Sequence, residues 1–134
     1  MKLSERSWKQ LKSAIYTGMK HPESERVYFI RSGDDDAVKI GWSKDPFERI
    51  NYLQPGNPNE LRLILTIPGP IRTEQELHRF LHKSRLRGEW FRLSGMVDHT
   101  MLRLLDARIA RVYDGAYFRH SHPDFQRMGD DKCA

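Results

Sequence analysis

The chain has 134 residues, a length that supports one compact domain with at most a short extension and excludes two separate cores. Apolar residues make up 38%, including three Trp, six Phe and five Tyr, which is enough for a real core. The longest apolar runs fall far short of the roughly 20 residues of a membrane span, so a soluble protein is expected. Lys and Arg outnumber Asp and Glu by 23 to 18, a net charge of +5, which favours a polyanionic partner over an acidic or membrane-buried role.

The N-terminus, MKLSERSWKQLKSAIYTG, carries charges throughout and has no apolar h-region or small-residue cleavage site, so a cytoplasmic setting is expected. Residues 4–19 read as a short helix with Trp8, Leu11, Ile15 and Met19 on one stripe, ended by the breaker HPESE. RVYFIRSGDDDAVKIGW then gives two β-rich runs around a Gly-Asp turn, the pattern of an antiparallel hairpin. SKDPFERINYLQPGNP carries helix punctuation: Asp45 as N-cap, Pro46 at the first helical position, Glu48 three residues after the cap, and a Pro-Gly stop. On that helix Phe47, Ile50 and Leu53 form the expected buried stripe, with Arg49 at its rim. ELRLILTIPGP reads as a third strand in which Leu61, Leu63, Leu65 and Ile67 alternate. A helix follows in TEQELHRFL, then EWFRL as a short strand or extended segment, then a helix over 97–112 with Val97, Met101, Leu104, Leu105, Ile109 and Val112 at helical spacing. The tail after Tyr113 has no periodicity and reads as loose. Its lone Cys133 can neither staple the fold nor build a Cys-based zinc cluster.

One residue conflicts with its pattern. At about 100° per residue, Glu74 falls inside the apolar arc formed by Ile71, Leu77, Phe80 and Leu81, with His78 beside it and Glu76 outside. A carboxylate inside a buried arc costs several kcal/mol unless it is paired, hydrogen-bonded or bound to a cation. Two kinds of partner satisfy that demand: a neighbouring Arg or His78 in a structural pair, or a metal ion in a site. In the hairpin, a four-residue loop over 32–35 sets Tyr28 opposite Lys39 and Val27 opposite Ile40. Val27, Phe29, Val38 and Ile40 then share the apolar face, and Tyr28 and Lys39 share the other. Either the Lys stem and Tyr ring simply cover a small sheet, or they line a site that Arg49 reaches.

These blocks in this order, VYFI, VKIGWS, DPFERI, LQPGNP, ELRLILTIPG, TEQELHRFL and RGEWFRL, resemble the GIY-YIG nuclease superfamily, and within it the small phage and bacterial domains of the T5orf172 or Mug113 type. The resemblance covers residues 27–93. It implies an α/β (α+β) fold with a small, mainly antiparallel three-stranded sheet flanked by helices. It also implies a metal-dependent endonuclease that hydrolyses DNA, with Mg2+ or Mn2+ as cofactor. Tyr28 matches the active-site tyrosine, Lys39 stands where many members have a second tyrosine, Arg49 matches the catalytic arginine, and Glu74 matches the metal-binding glutamate. His78 and Glu89 fall in blocks typical of this branch and are possible accessory residues. The asparagine that many members place after the metal-binding helix has no counterpart here, because RGEWF occupies that region. A Tyr28 phenolate favoured by Lys39 and a metal would suit general-base work.

Around this site, residues 71–92 carry six basic side chains, Arg72, Arg79, Lys83, Arg85, Arg87 and Arg92, against Glu74, Glu76 and Glu89. The first five are the expected nucleic-acid-binding surface, to either double- or single-stranded DNA. The organisation read from the sequence is an N-terminal helical extension over 1–25, the nuclease-like domain over 26–93, and a C-terminal helix and tail over 94–134. A nucleic-acid-binding module of phage or mobile-element origin that cleaves poorly is the competing reading, since binding needs only the basic surface. Zinc on Glu74, His78 and His82 lacks the HExxH spelling. GDDD lacks calcium-loop spacing, and His120 and His122 lie in the tail.

Overall fold

Ser4 opens the first helix: its backbone is extended and its hydroxyl accepts a hydrogen bond from the Ser7 amide at 3.1 Å. The structure, a computed structural model, describes residues 1–20 and 26–121. The HPESE breaker, His122 and Cys133, together with the side chain of His120, lie outside the described residues. Helix α1 (Glu5–Gly18) buries Trp8, Leu11 and Ile15 as the stripe requires, whereas Met19 follows the helix as its cap and is exposed.

Strands β1 (Arg26–Ser32) and β2 (Ala37–Ser43) form the expected antiparallel hairpin with a different register. Tyr28 stands opposite Gly41 and Lys39 opposite Ile30, a slip of two residues from the expected pairing. The acidic turn is wider because its polar groups bind elsewhere. Arg31 donates to the carbonyls of Asp34 and Asp35, the Gly33 amide donates to the Glu60 carbonyl, and Asp36 accepts from the Ser94 amide and hydroxyl at 2.7 and 2.6 Å. Side chains alternate with period two, so a slip of two leaves Tyr28 and Lys39 on their shared face.

Asp45 caps α2 (Pro46–Leu53), accepting from the Glu48 amide at 3.2 Å. Phe47, expected in the buried stripe, is exposed and meets the edge of the Tyr113 ring; Ile50 and Leu53 carry the packing. Strand β3 (Leu61–Pro68) is buried beyond its alternating set, with Ile64 and Thr66 also inside, because protein covers both faces. Helix α3 (Ile71–Phe80) follows, and Ile71, expected in its apolar arc, is exposed on the first turn.

Two three-residue strands, β4 (Arg85–Arg87) and β5 (Trp90–Arg92), make a second hairpin whose turn contains Gly88 at φ 55°. Helix α4 (Asp98–Asp106) keeps Met101, Leu104 and Leu105 buried but stops well short of the expected end. Arg108 takes a left-handed φ of 59°, and the chain re-enters the sheet as β6 (Arg111–Val112). The segment expected to be loose instead forms α5 (Gly115–Ser121), which buries Tyr117 and Phe118.

The result is an α+β fold with five helices among the described residues and an antiparallel sheet in the order β4-β5-β2-β1-β3-β6. Six strands replace the three expected, because β4, β5 and β6 are too short to show a period. The larger core gathers Val27, Phe29, Val38 and Ile40 with apolar residues of α1, α3, α4 and α5. On the other side Tyr28, Ile30, Leu61 and Leu63 pack against Ile50 and Leu53 of α2, with Trp90 and Tyr113. No helix among the described residues is long and apolar enough to cross a membrane.

Candidate active site

Strand β5 pairs with β2 only as far as Lys39 opposite Trp90, after which the Ile40 amide donates to the Glu89 carbonyl at 3.0 Å. Helix α3 meets β2 there: the His78 Nε2–H donates to the Ile40 carbonyl at 2.7 Å, and the imidazole lies 4.9 Å from the Phe91 ring. That bond fixes the tautomer and places Nε2 also 3.5 Å from Glu74 Oε1. Glu74 is 6% exposed.

Its partner is the other carboxyl group that the hairpin β4–β5 delivers. Glu89, beside Gly88 in the turn, comes close enough to Glu74 to act on its charge, and pairs with Lys39 Nζ at 3.2 Å. Lys39 in turn lies 5.7 Å from the Trp90 ring centroid. Burial, then the charge and hydrogen bond of Glu89, push the Glu74 carboxyl up to about 7, with Lys39 opposing. Glu74 is therefore largely protonated below neutrality. Of the structural partners foreseen for Glu74, an Arg or His78, the structure supplies His78 at 3.5 Å, and a second acid, Glu89, acts on it as well.

Tyr28 rises from β1 on the same side. Its ring rests on Gly41, where an added Cβ would come within 2.3 Å of the hydroxyl, so the strand must carry glycine there. Arg49 comes within range of the Tyr28 phenol from the half-buried rim of α2, its guanidinium 5.2 Å from the Tyr52 ring. Burial pushes the Tyr28 phenol up, Arg49 pulls it down, and both Glu89 and Glu74 raise it further. In the protein's own field the phenol is therefore held above its ordinary value.

Four separate elements thus bring Tyr28, Lys39, Arg49 and Glu74 within interaction range of one another, with Glu89 and His78 among them. Glu89, read from the sequence only as accessory, sits between Lys39 and Glu74. The signal that marks it is local: an acid next to a turn glycine, ahead of a Trp, in RGEW. The basic surface divides. Arg72, Arg79, Lys83, Arg85 and Arg87 are all exposed, yet only Arg79, Lys83 and Arg85 line one cleft; Arg72 lies by the start of α3, and Arg87 is on the edge strand β4. Arg79 is also bound to Glu76 at 2.7 Å. Among the described residues no group of three His, Cys, Asp or Glu side chains stands together as a ready metal cluster.

No curated protein and no solved structure matches the chain. A family model does, that of the T5orf172 domain, over residues 25–112, which runs from β1 to β6 and covers well over half of the 134 residues. With the motif order, the α+β fold and this match in agreement, the chain belongs to the T5orf172 domain family, a nuclease-like, DNA-binding class of domain.

Proposed function

We propose that the chain is a metal-dependent endonuclease that hydrolyses DNA phosphodiester bonds, with Tyr28, Lys39, Arg49 and Glu74 as its catalytic set. The observation that carries the reading is the buried Glu74 in the same electrostatic field as Glu89 and its partner Lys39, with Tyr28 and Arg49 beside them. Two neighbouring carboxyl groups, one of them buried, repel once both ionise, and a hard divalent cation is the partner that relieves this repulsion. The oxygen-only donor pair suits Mg2+ or Mn2+ rather than a softer metal. Glu74 would hold the ion with Glu89 beside it, and a bound ion polarises a phosphoryl oxygen.

The chain's own residues supply the rest. Arg49 meets negative charge growing on the phosphate, as a positioned cation in a partly dry site does best. Tyr28, neutral at rest, orients a water or phosphate oxygen through its hydroxyl. Lys39 fixes Glu89 and adds positive charge to the same cleft.

Incubation of the purified protein with supercoiled plasmid in Mg2+, Mn2+ or EDTA tests the reading: nicking with either ion and none in EDTA is expected. Glu74→Ala should abolish nicking while binding DNA at least as well as wild type, because an anionic group leaves a DNA-facing cleft. Arg49→Ala should lose cleavage with a smaller loss of binding, since its stabilisation is realised mainly in the transition state. The absence of a three-residue ligand group among the described residues favours one other reading, a nucleic-acid-binding module that cleaves poorly. Wild-type protein that binds plasmid and single-stranded DNA yet leaves both intact with each ion decides for that module.

A further inference from the structure

The N-terminal end of α1 and the C-terminal end of α3 enclose a cleft of about 950 Å3 in which, among the described residues, no Asp or Glu lines the wall. Lys2, Gln10, Gln75, His82, Lys83 and Arg85 face it, all of them exposed. Neither Lys2 nor Lys83 takes part in an ion pair among the described residues, whereas Arg79 at the same wall is bound to Glu76. Arg85 is held in place by donating to the Gly88 carbonyl at 2.7 Å, with its guanidinium 5.9 Å from the Phe91 ring. Ser4 and Ser7, at the positive end of the α1 dipole, complete the rim.

We propose that this cleft is a second nucleic-acid contact, which seats the sugar-phosphate backbone of the DNA strand flanking the reacting phosphate. Charge complementarity commits it to a polyanion: Lys2, Lys83 and Arg85 bring three cationic side chains to a wall lined by no acid among the described residues, a phosphate track. Its position commits it to a polynucleotide. His78 lies in the cleft wall and also 3.5 Å from Glu74, so an anion that occupies the cleft and continues to the carboxylates must be a chain of phosphates rather than a single one. Gln10 and Gln75 offer the neutral donors and acceptors that sugars and base edges use. The wall formed by α1 lies outside the family-matched residues, so this contact is an addition to the family's domain. The inference rests on the nuclease reading for the position of the reacting phosphate, and on the cleft alone for binding.

The test measures binding of a labelled DNA duplex, and of the same strand alone, by wild type in EDTA across a salt series, so that cleavage plays no part. Lys2→Ala/Lys83→Ala should reduce the slope of log K against log salt by about 1.8 on duplex, and by about 1.4 on the single strand, two contacts at about 0.9 or 0.7 each. Lys9→Ala/Lys20→Ala removes the same charge from exposed positions of the chain outside this cleft and should leave the slope unchanged. Equal losses in both double variants mean a diffuse charge effect and overturn the cleft, as does an unchanged slope in Lys2→Ala/Lys83→Ala. Wild type without salt-dependent binding overturns both the cleft and any nucleic-acid reading. Failure of the nuclease reading alone shows differently, as intact plasmid with the slope change still present.

Discussion

Glu74 holds its proton because it is buried and because ionising it would put a second charge beside Glu89, and stability must follow that proton. Its folded value of about 7 lies above the ordinary 4.5, so between those values the native state binds more protons than the unfolded chain. Stability is therefore greatest below about pH 4.5 as far as this group is concerned, and falls as pH rises to about 7, by up to about 3 kcal/mol. Urea unfolding at about pH 5 and about pH 8 should show the decline in wild type and none in Glu74→Gln, which keeps the side chain's shape without a charge. Equal slopes in the two proteins would remove the buried acid pair. At Gly41, an added methyl has to enter the Tyr28 ring at 2.3 to 2.8 Å. Gly41→Ala should cost about 1–3 kcal/mol in a melt and lose cleavage altogether, by tilting the hydroxyl away from Arg49. The anomaly at Glu74 was legible in the sequence because it broke a helical period. Its partnership with Glu89 was not, since a contact between α3 and a turn beyond it leaves no periodic trace.

Among the elements, those with their own punctuation were readable and those held by distant partners were not. Asp45, Pro46 and Glu48 announce α2, and the helix starts where they say. Asp45→Ala should cost about 1 kcal/mol and reduce cleavage more than DNA binding, because α2 carries Arg49 into the site; a melt and a plasmid assay on one preparation check both. The β1–β2 turn shows the opposite case. Its three acids look like a tight loop, but Asp36 binds Ser94 across the fold and Asn59 donates to Asp35, so the register is set by partners far along the chain. Periodicity through Ile109 and Val112 likewise implied one helix, where Arg108 turns the chain back toward β3. Tyr117 escaped notice because a seven-residue helix is too short to show a stripe, yet its hydroxyl donates to Asp98 at 2.7 Å. Helix α1 shows its stripe plainly, though not what it meets: Gly18 comes so close to Thr73 that an added Cβ would lie 2.3 Å from the hydroxyl.

At the scale of the molecule, α1 lies outside the family match but inside the main core, since Trp8, Leu11 and Ile15 pack with residues of the sheet and α3. Burying three such side chains is worth about 1.5–3 kcal/mol each, a large share of the roughly 5–15 kcal/mol that stabilises an ordinary domain. Deletion of residues 1–20 should abolish the cooperative melt and the near-UV circular dichroism rather than leave a folded core. The same whole-molecule view gives the acid pair a role in timing. While Glu74 keeps its proton, the site presents one negative charge fewer to an arriving phosphate, and below about pH 7 DNA can settle before the proposed ion, which must then expel that proton. Above that point the bare pair repels the backbone, and the ion has to arrive first. On the proposed function, the order of assembly would change with acidity: in rapid mixing, protein loaded with DNA should give the larger burst on adding Mg2+ at acid pH, and protein loaded with Mg2+ the larger burst on adding DNA at alkaline pH.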